Sequence, residues 1–163
     1  MTANTGRAVL ILPADTQIRI TREFDAPRAL VWKAWTTPEL IKRWWHAKRG
    51  TATVADVDLK AGGRWRWVMV TRDGREVAFH GQYREVAPPE RLVYTEVFEG
   101  APGADDRPVV VTVTFTERDG RTTATMLMDA PSREVRDMIV ESGMEGGLQD
   151  ALELLEGVAQ SLA

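Results

Sequence analysis

The sequence predicts an α+β fold: a curved antiparallel sheet of seven strands wrapped around one long C-terminal helix, with two short helices after the first strand. Three observations lead there. Apolar and polar residues alternate along most of residues 17–128, the pattern of half-buried strands. Short turns join those segments, so neighbouring strands run antiparallel. From Ser132 onward the apolar spacing changes to threes and fours, the pattern of an amphipathic helix.

Residues 1–15 read as an N-terminal arm in which Val9-Leu10-Ile11-Leu12 is stopped by Pro13, and residues 16–163 as a single domain. From Gln17, Ile18, Ile20, Arg22 and Phe24 alternate with Arg19, Thr21 and Glu23, giving the first strand. Asp25-Ala26-Pro27 is a helix start, with Asp25 or Ala26 as cap and Pro27 near the first helical position. Thr37-Pro38-Glu39 repeats the signal and opens a second short helix to about Trp45. Strands follow at Thr53–Leu59, Arg64–Val70, Val77–Val86, Arg91–Phe98, Val109–Thr116 and Thr122–Met128. Asp73-Gly74 and Asp119-Gly120 are hairpin turns. The polar segment from Glu99 to Pro108 is a loop. Ser132 caps a helical stretch that Ser142-Gly143 interrupts, and a longer helix runs from Met144 to Leu162. At 1.5 Å per residue it spans about 28 Å, enough to cross a sheet.

Composition narrows the function classes. The 163 residues are 44% hydrophobic and 28% charged, which is globular composition. Lys plus Arg is 21 against 24 for Asp plus Glu, so a net charge of −3 gives no overall attraction for nucleic acid or a membrane surface. The absence of cysteine removes disulfides, thiolate metal sites and thiol catalysis. Ala8–Leu12 is too short for a leader core or a membrane span, so a cytoplasmic protein is expected.

A straight helix fits a curved sheet poorly, and the gap between them is filled by side chains or left as a pocket. Candidate lining residues follow from the periodicity. Trp65, Trp67 and Met69 share one strand face; Tyr94, Glu96 and Phe98 share another; Met126 and Met128 come from the last strand. Met144, Leu148 and Leu152 come from the long helix, and Trp44 and Trp45 stand at a pocket mouth. The tryptophans either fill the core or wall an aromatic cavity. Glu96 is either a polar anchor for ligand or paired with an arginine such as Arg66 or Arg84; the opposite register would put Val93 and Val97 inside. His46 and His80 lack metal-ligand spacing, and no nucleophile elbow or phosphate loop is present, so neither metal nor cofactor nor catalytic residue is expected. Lys42, Arg43, Lys48 and Arg49 around Trp44-Trp45 are read as a solvated helix end and not a nucleic-acid site.

The segments Ile18-x-Ile20-Thr21-Arg22-Glu23-Phe24-Asp25-Ala26-Pro27, Val31-Trp32-x-Ala34-Trp35-Thr36-x-Pro38-Glu39 and Trp44-Trp45 resemble the opening of the family of activators of heat-shock-protein-90 ATPase, in the START/SRPBCC superfamily. Asp58-Leu59-x-x-Gly62-Gly63-x-Trp65, Glu85-Val86-x-Pro88-Pro89-x-Arg91-Leu92 and Gly143-Met144-Glu145 extend the resemblance over residues 17–160. It implies the helix-grip fold and a hydrophobic cavity for ligand binding. Gly146-Gly147-Leu148 departs from the family, where Trp or Met often follows a single glycine, and so implies more room and a looser helix start. The expected function is therefore a small-molecule-binding protein for an apolar or aromatic ligand. The alternatives are a cyclase or dehydratase using the same cavity, or a module acting on a chaperone ATPase in a stress response. The family's eukaryotic activators carry a further N-terminal domain for which this length leaves no space, which disfavours the chaperone. A homodimer is left open.

Overall fold

Eight strands form one antiparallel sheet in the computed structural model, which describes residues 7–100, 103 and 105–163. The first six residues of the expected arm, and Ala101, Pro102 and Ala104 of the expected loop, lie outside the described residues. In chain order the elements are β1 (Val9–Ile11), β2 (Gln17–Phe24), α1 (Arg28–Thr36), α2 (Pro38–Trp44), β3 (Gly50–Val57), β4 (Arg64–Thr71), β5 (Glu76–Ala87), β6 (Arg91–Phe98), β7 (Val109–Arg118), β8 (Arg121–Asp129), α3 (Arg133–Glu141) and α4 (Met144–Ser161). The strand order is β1-β2-β8-β7-β6-β5-β4-β3. Seven strands are the expected ones. The eighth, β1, lies in the arm. Three residues are too few for alternation to register, yet Val9, Leu10 and Ile11 pair with Thr21, Ile20 and Arg19. The Gln149 side chain accepts from the Ala8 N–H at 2.9 Å and donates to its carbonyl at 2.8 Å, pinning the arm to α4.

Since β2 and β3 lie far apart in the sheet, α1 and α2 carry the chain across the concave face and pack on α4. The cap of α1 differs from the expectation: Pro27 is the N-cap residue, without a side-chain cap. Asp25 instead pairs with Arg121 at 3.2 Å, and the free Arg28 N–H donates to Glu117 Oε1 at 2.6 Å. Ser132 caps α3 as expected, accepting from the Val135 N–H at 3.2 Å. Gly143, at φ 82°, turns the chain from α3 into α4 through left-handed backbone that few other residues tolerate.

Curvature comes from shifts of register between Ala52 and Val54 in β3 and between Tyr83 and Glu85 in β5. The core fills the hollow so formed. Ile18, Ile20 and Phe24 of β2, Val111, Val113 and Phe115 of β7, and Leu152 and Leu155 of α4 are almost wholly buried there. Arg22, on the same face of β2, is 2% exposed, stacks over Phe24 at 4.7 Å and pairs with Glu156 of α4 at 3.4 Å. That ion pair ties the far end of α4 to the sheet.

Candidate functional site

Aromatic side chains dominate the hollow between sheet and helices. Two-residue periodicity on β4 puts Trp65 and Trp67 on the concave face, with ring centroids 5.1 Å apart. Gly81 of β5, opposite Trp65, lets them lie close: a Cβ there would meet the Thr95 carbonyl oxygen at 1.8 Å and Trp65 Nε1 at 2.7 Å. Trp65 Nε1 donates to that carbonyl at 3.1 Å. A path of ring contacts runs from the depth of the core outward: Phe24 to Trp35 (6.5 Å), Trp35 to Trp44 (5.8 Å), Trp44 to Trp67 (5.9 Å) and Trp67 to Trp45 (5.6 Å). It continues from Trp45 to Phe79 (6.0 Å) and ends at Phe98 (5.2 Å further). Trp44 belongs to the core, 4% exposed, its Nε1 donating to the Ala34 carbonyl at 2.9 Å. Trp45, Trp67 and Phe79 are only half-buried, and Phe98 is 48% exposed.

A cavity of about 10 Å³ lies among these rings, lined by Trp35, Trp65, Trp67, Tyr83, Leu92 and Tyr94. It has room for at most one water molecule. Trp65, Trp67 and Tyr94 were expected there. Trp35, Tyr83 and Leu92 were not, though the spacing Phe79, Gly81, Tyr83 on β5 carries the signal for Tyr83 and the spacing Leu92, Tyr94, Glu96 on β6 that for Leu92. Met128, Leu152 and the half-buried Met126, Met144 and Leu148 join the same core but do not border the cavity. Two expected lining residues stand elsewhere. Met69 is buried outside the main core, in register with Ala52 and Val77 toward the β4–β5 turn. Phe98 is at the rim because β6 ends there.

Two polar groups on the β4–β6 side of this face lack partners among the described residues, as do Arg22 Nε and Nη2 on β2. Trp67 Nε1 is buried without an acceptor. Glu96 shares its strand face with Leu92 and Tyr94, is half-buried, and forms neither the expected pair with Arg66 or Arg84 nor any other side-chain bond found among those residues. Burial pushes its carboxyl up to about 7. Burial, with the Glu96 charge beside it, also raises the Tyr94 hydroxyl, toward which Trp35 donates.

The opposite face carries a separate polar chain. Arg66 makes two 2.8 Å bonds to Glu99, whose Oε2 also lies 2.8 Å from His80 Nδ1, and His80 Nε2 lies 2.7 Å from Asp105. The Arg66 hydrogen bond holds the Glu99 carboxyl down at about 2. Burial opposes the charge on His80, but its bonds to Glu99 and Asp105 outweigh that and raise its pKa. Lys48 and Arg49 of the basic stretch reach α4, pairing with Glu153 at 3.0 Å and Asp150 at 2.8 Å. Among the described residues no cluster of three or more potential ligands could hold a metal ion, and no helix is long and apolar enough to cross a membrane.

The sequence model of the family described as Activator of Hsp90 ATPase homolog 1-like protein matches residues 25–160. The chain belongs to that family. Solved structures agree with the membership. A Rhodobacter sphaeroides protein, 25% identical, superposes with a TM-score of 0.87 over 96% of this chain and 100% of its own. A Mycobacterium smegmatis protein, 28% identical, gives 0.82 over 93% and 96%. An AHSA1-like protein from Aeromonas hydrophila, 27% identical, gives 0.66 over 88% and 93%. No curated protein matches the chain in sequence. The family's helix-grip fold, expected from the opening motifs, is the observed architecture.

Proposed function

We propose that this protein binds an apolar or aromatic small molecule between the curved sheet and α4. The observation that carries the reading is the aromatic path that begins in the core and stays incompletely covered at Trp45, Trp67, Phe79 and Phe98. Aromatics that serve packing alone are normally covered; a contiguous row left partly open on a concave face is suited to stacking against a guest. A guest of ordinary size needs about 300 Å³ or more. It must therefore displace side chains, and the half-buried Met144 and Leu148 on the first two turns of α4 are placed to move.

Titration with N-phenyl-1-naphthylamine, which fluoresces strongly only in apolar surroundings, tests the reading. Saturable one-to-one enhancement is expected, weakened about tenfold by Leu148→Trp, because the indole occupies the guest's space. A folded protein that gives no enhancement contradicts the reading. A second reading is favoured by one observation: Glu96, with its carboxyl near neutrality, is tuned as a general base is. The chaperone reading draws only on the family's description.

A further inference from the structure

On its β4–β6 side, among the described residues, the concave face has two open polar positions of complementary kind: one buried donor, Trp67 Nε1, and one carboxyl, Glu96. Their places in the sheet are related. Trp67 of β4 pairs with Phe79 of β5, and Trp65 with Gly81. The pairing of Phe79 with Phe98 and of His80 with Val97 continues to set Gly81 opposite Glu96. The diagonal from Trp67 to Glu96 thus crosses β5 between Phe79 and Gly81, and Gly81, lacking a side chain, leaves its place to the Trp65 indole. At ordinary strand spacing their backbone positions are about 12 Å apart, and both side chains project into the hollow. Of the other indoles here, Trp44 and Trp65 bond carbonyls, and Trp35 donates toward the Tyr94 hydroxyl.

An unpaired N–H walled by rings is costly to leave dry, so a guest gains affinity by presenting it an acceptor. A guest that also places a negative charge on this face meets the Glu96 carboxylate in a poorly solvated place, where like charges repel strongly. A hydroxyl accepts from Trp67 without adding a negative charge to the face that holds Glu96. We propose that the guest is a neutral hydroxylated aromatic, whose oxygen accepts from Trp67 Nε1, and that Glu96 excludes carboxylated aromatics from the site. The inference rests on the binding reading above and adds the ligand's chemical class to it.

Three probes on one naphthalene core separate the two levels: 2-methylnaphthalene, 2-naphthol and 2-naphthoate, measured by equilibrium dialysis at pH 8, where Glu96 is mostly ionised. The wild type should bind the naphthol about tenfold more tightly than the hydrocarbon, and the naphthoate least. Trp67→Phe should bring the naphthol to within about threefold of the hydrocarbon, the ratio of the two affinities being read so that the ring area lost to both cancels. Glu96→Gln should raise the affinity for naphthoate relative to the hydrocarbon about tenfold. If all three bind the wild type alike, or the naphthoate binds best, the class assignment is overturned while the binding reading stands. If none binds, the binding reading falls and the assignment with it. The wild-type ranking alone decides, so a variant that folds poorly does not obscure the result.

Discussion

At Glu96 and Glu99, three residues apart on adjoining stretches of chain, identical carboxyls are driven in opposite directions by their surroundings. Glu99 is held at about 2, first by the Arg66 hydrogen bond, so its pairing stabilises the fold above the ordinary 4.5 and is lost as pH falls toward 2. Glu96 is raised to about 7 by burial without a partner. Between pH 4.5 and 7 the folded protein therefore binds more protons than the unfolded chain at this position, and stability declines as pH rises through that window. The decline amounts to about 2–3 kcal/mol and is complete above pH 7. Glu96→Gln keeps the shape and discards the charge. Chemical denaturation should find it about 1–3 kcal/mol more stable than the wild type at pH 8 and nearly equal at pH 4; equal stability at both values would mean that the carboxyl is solvated.

Helix α4 divides at Asp150. Beyond it Ala151, Leu152, Leu155, Val158 and Ala159 are buried, whereas Met144 to Asp150 are half-buried or exposed and contain Gly146 and Gly147. Glycine inside a helix costs about 1 kcal/mol against alanine. A Cβ would meet only the Arg49 guanidinium, at 3.5 Å from Gly146 and 4.0 Å from Gly147, both ordinary contacts. Gly146→Ala and Gly147→Ala should each stabilise the fold by about 0.5–1 kcal/mol and slow the uptake of N-phenyl-1-naphthylamine in stopped flow. Stabilisation with unchanged uptake would mean that this end of α4 is not the gate. The long elements were legible because alternation and three-four spacing accumulate over many residues: β6 ends where the pattern ends, and α4 begins at Met144 as its spacing requires. Short or irregular elements were not. β1 has three residues, and its place depends on the backbone of β2 and the side chain of Gln149, which no local pattern encodes. Tyr83 and Leu92 lie on the faces that alternation gives them, but Trp35 reaches the same cavity from α1 by tertiary packing that local spacing does not encode.

For the whole molecule, the sheet-and-helix grip followed from the order of elements, while the site was legible only in part. Alternation identified the inward faces of β4 and β6. It could not say how far side chains would fill the hollow, since that depends on how α1 brings Trp35 against Trp44 and Phe115. Nor could it see that Arg66 would be taken by Glu99 on the other face, leaving Glu96 open. The cavity among these rings holds only about 10 Å³, so a guest has to be admitted by side-chain motion, and the row of rings is least covered at its Phe98 end. The most direct test of that central claim is a nuclear magnetic resonance titration with N-phenyl-1-naphthylamine, following the methionine and leucine methyls and the tryptophan indole N–H signals. The account predicts saturating shifts at Met144, Leu148 and the Trp45 and Trp67 indoles, with the His80 ring on the outer face unmoved. Shifts confined to the outer face, or none on the concave face, would contradict it.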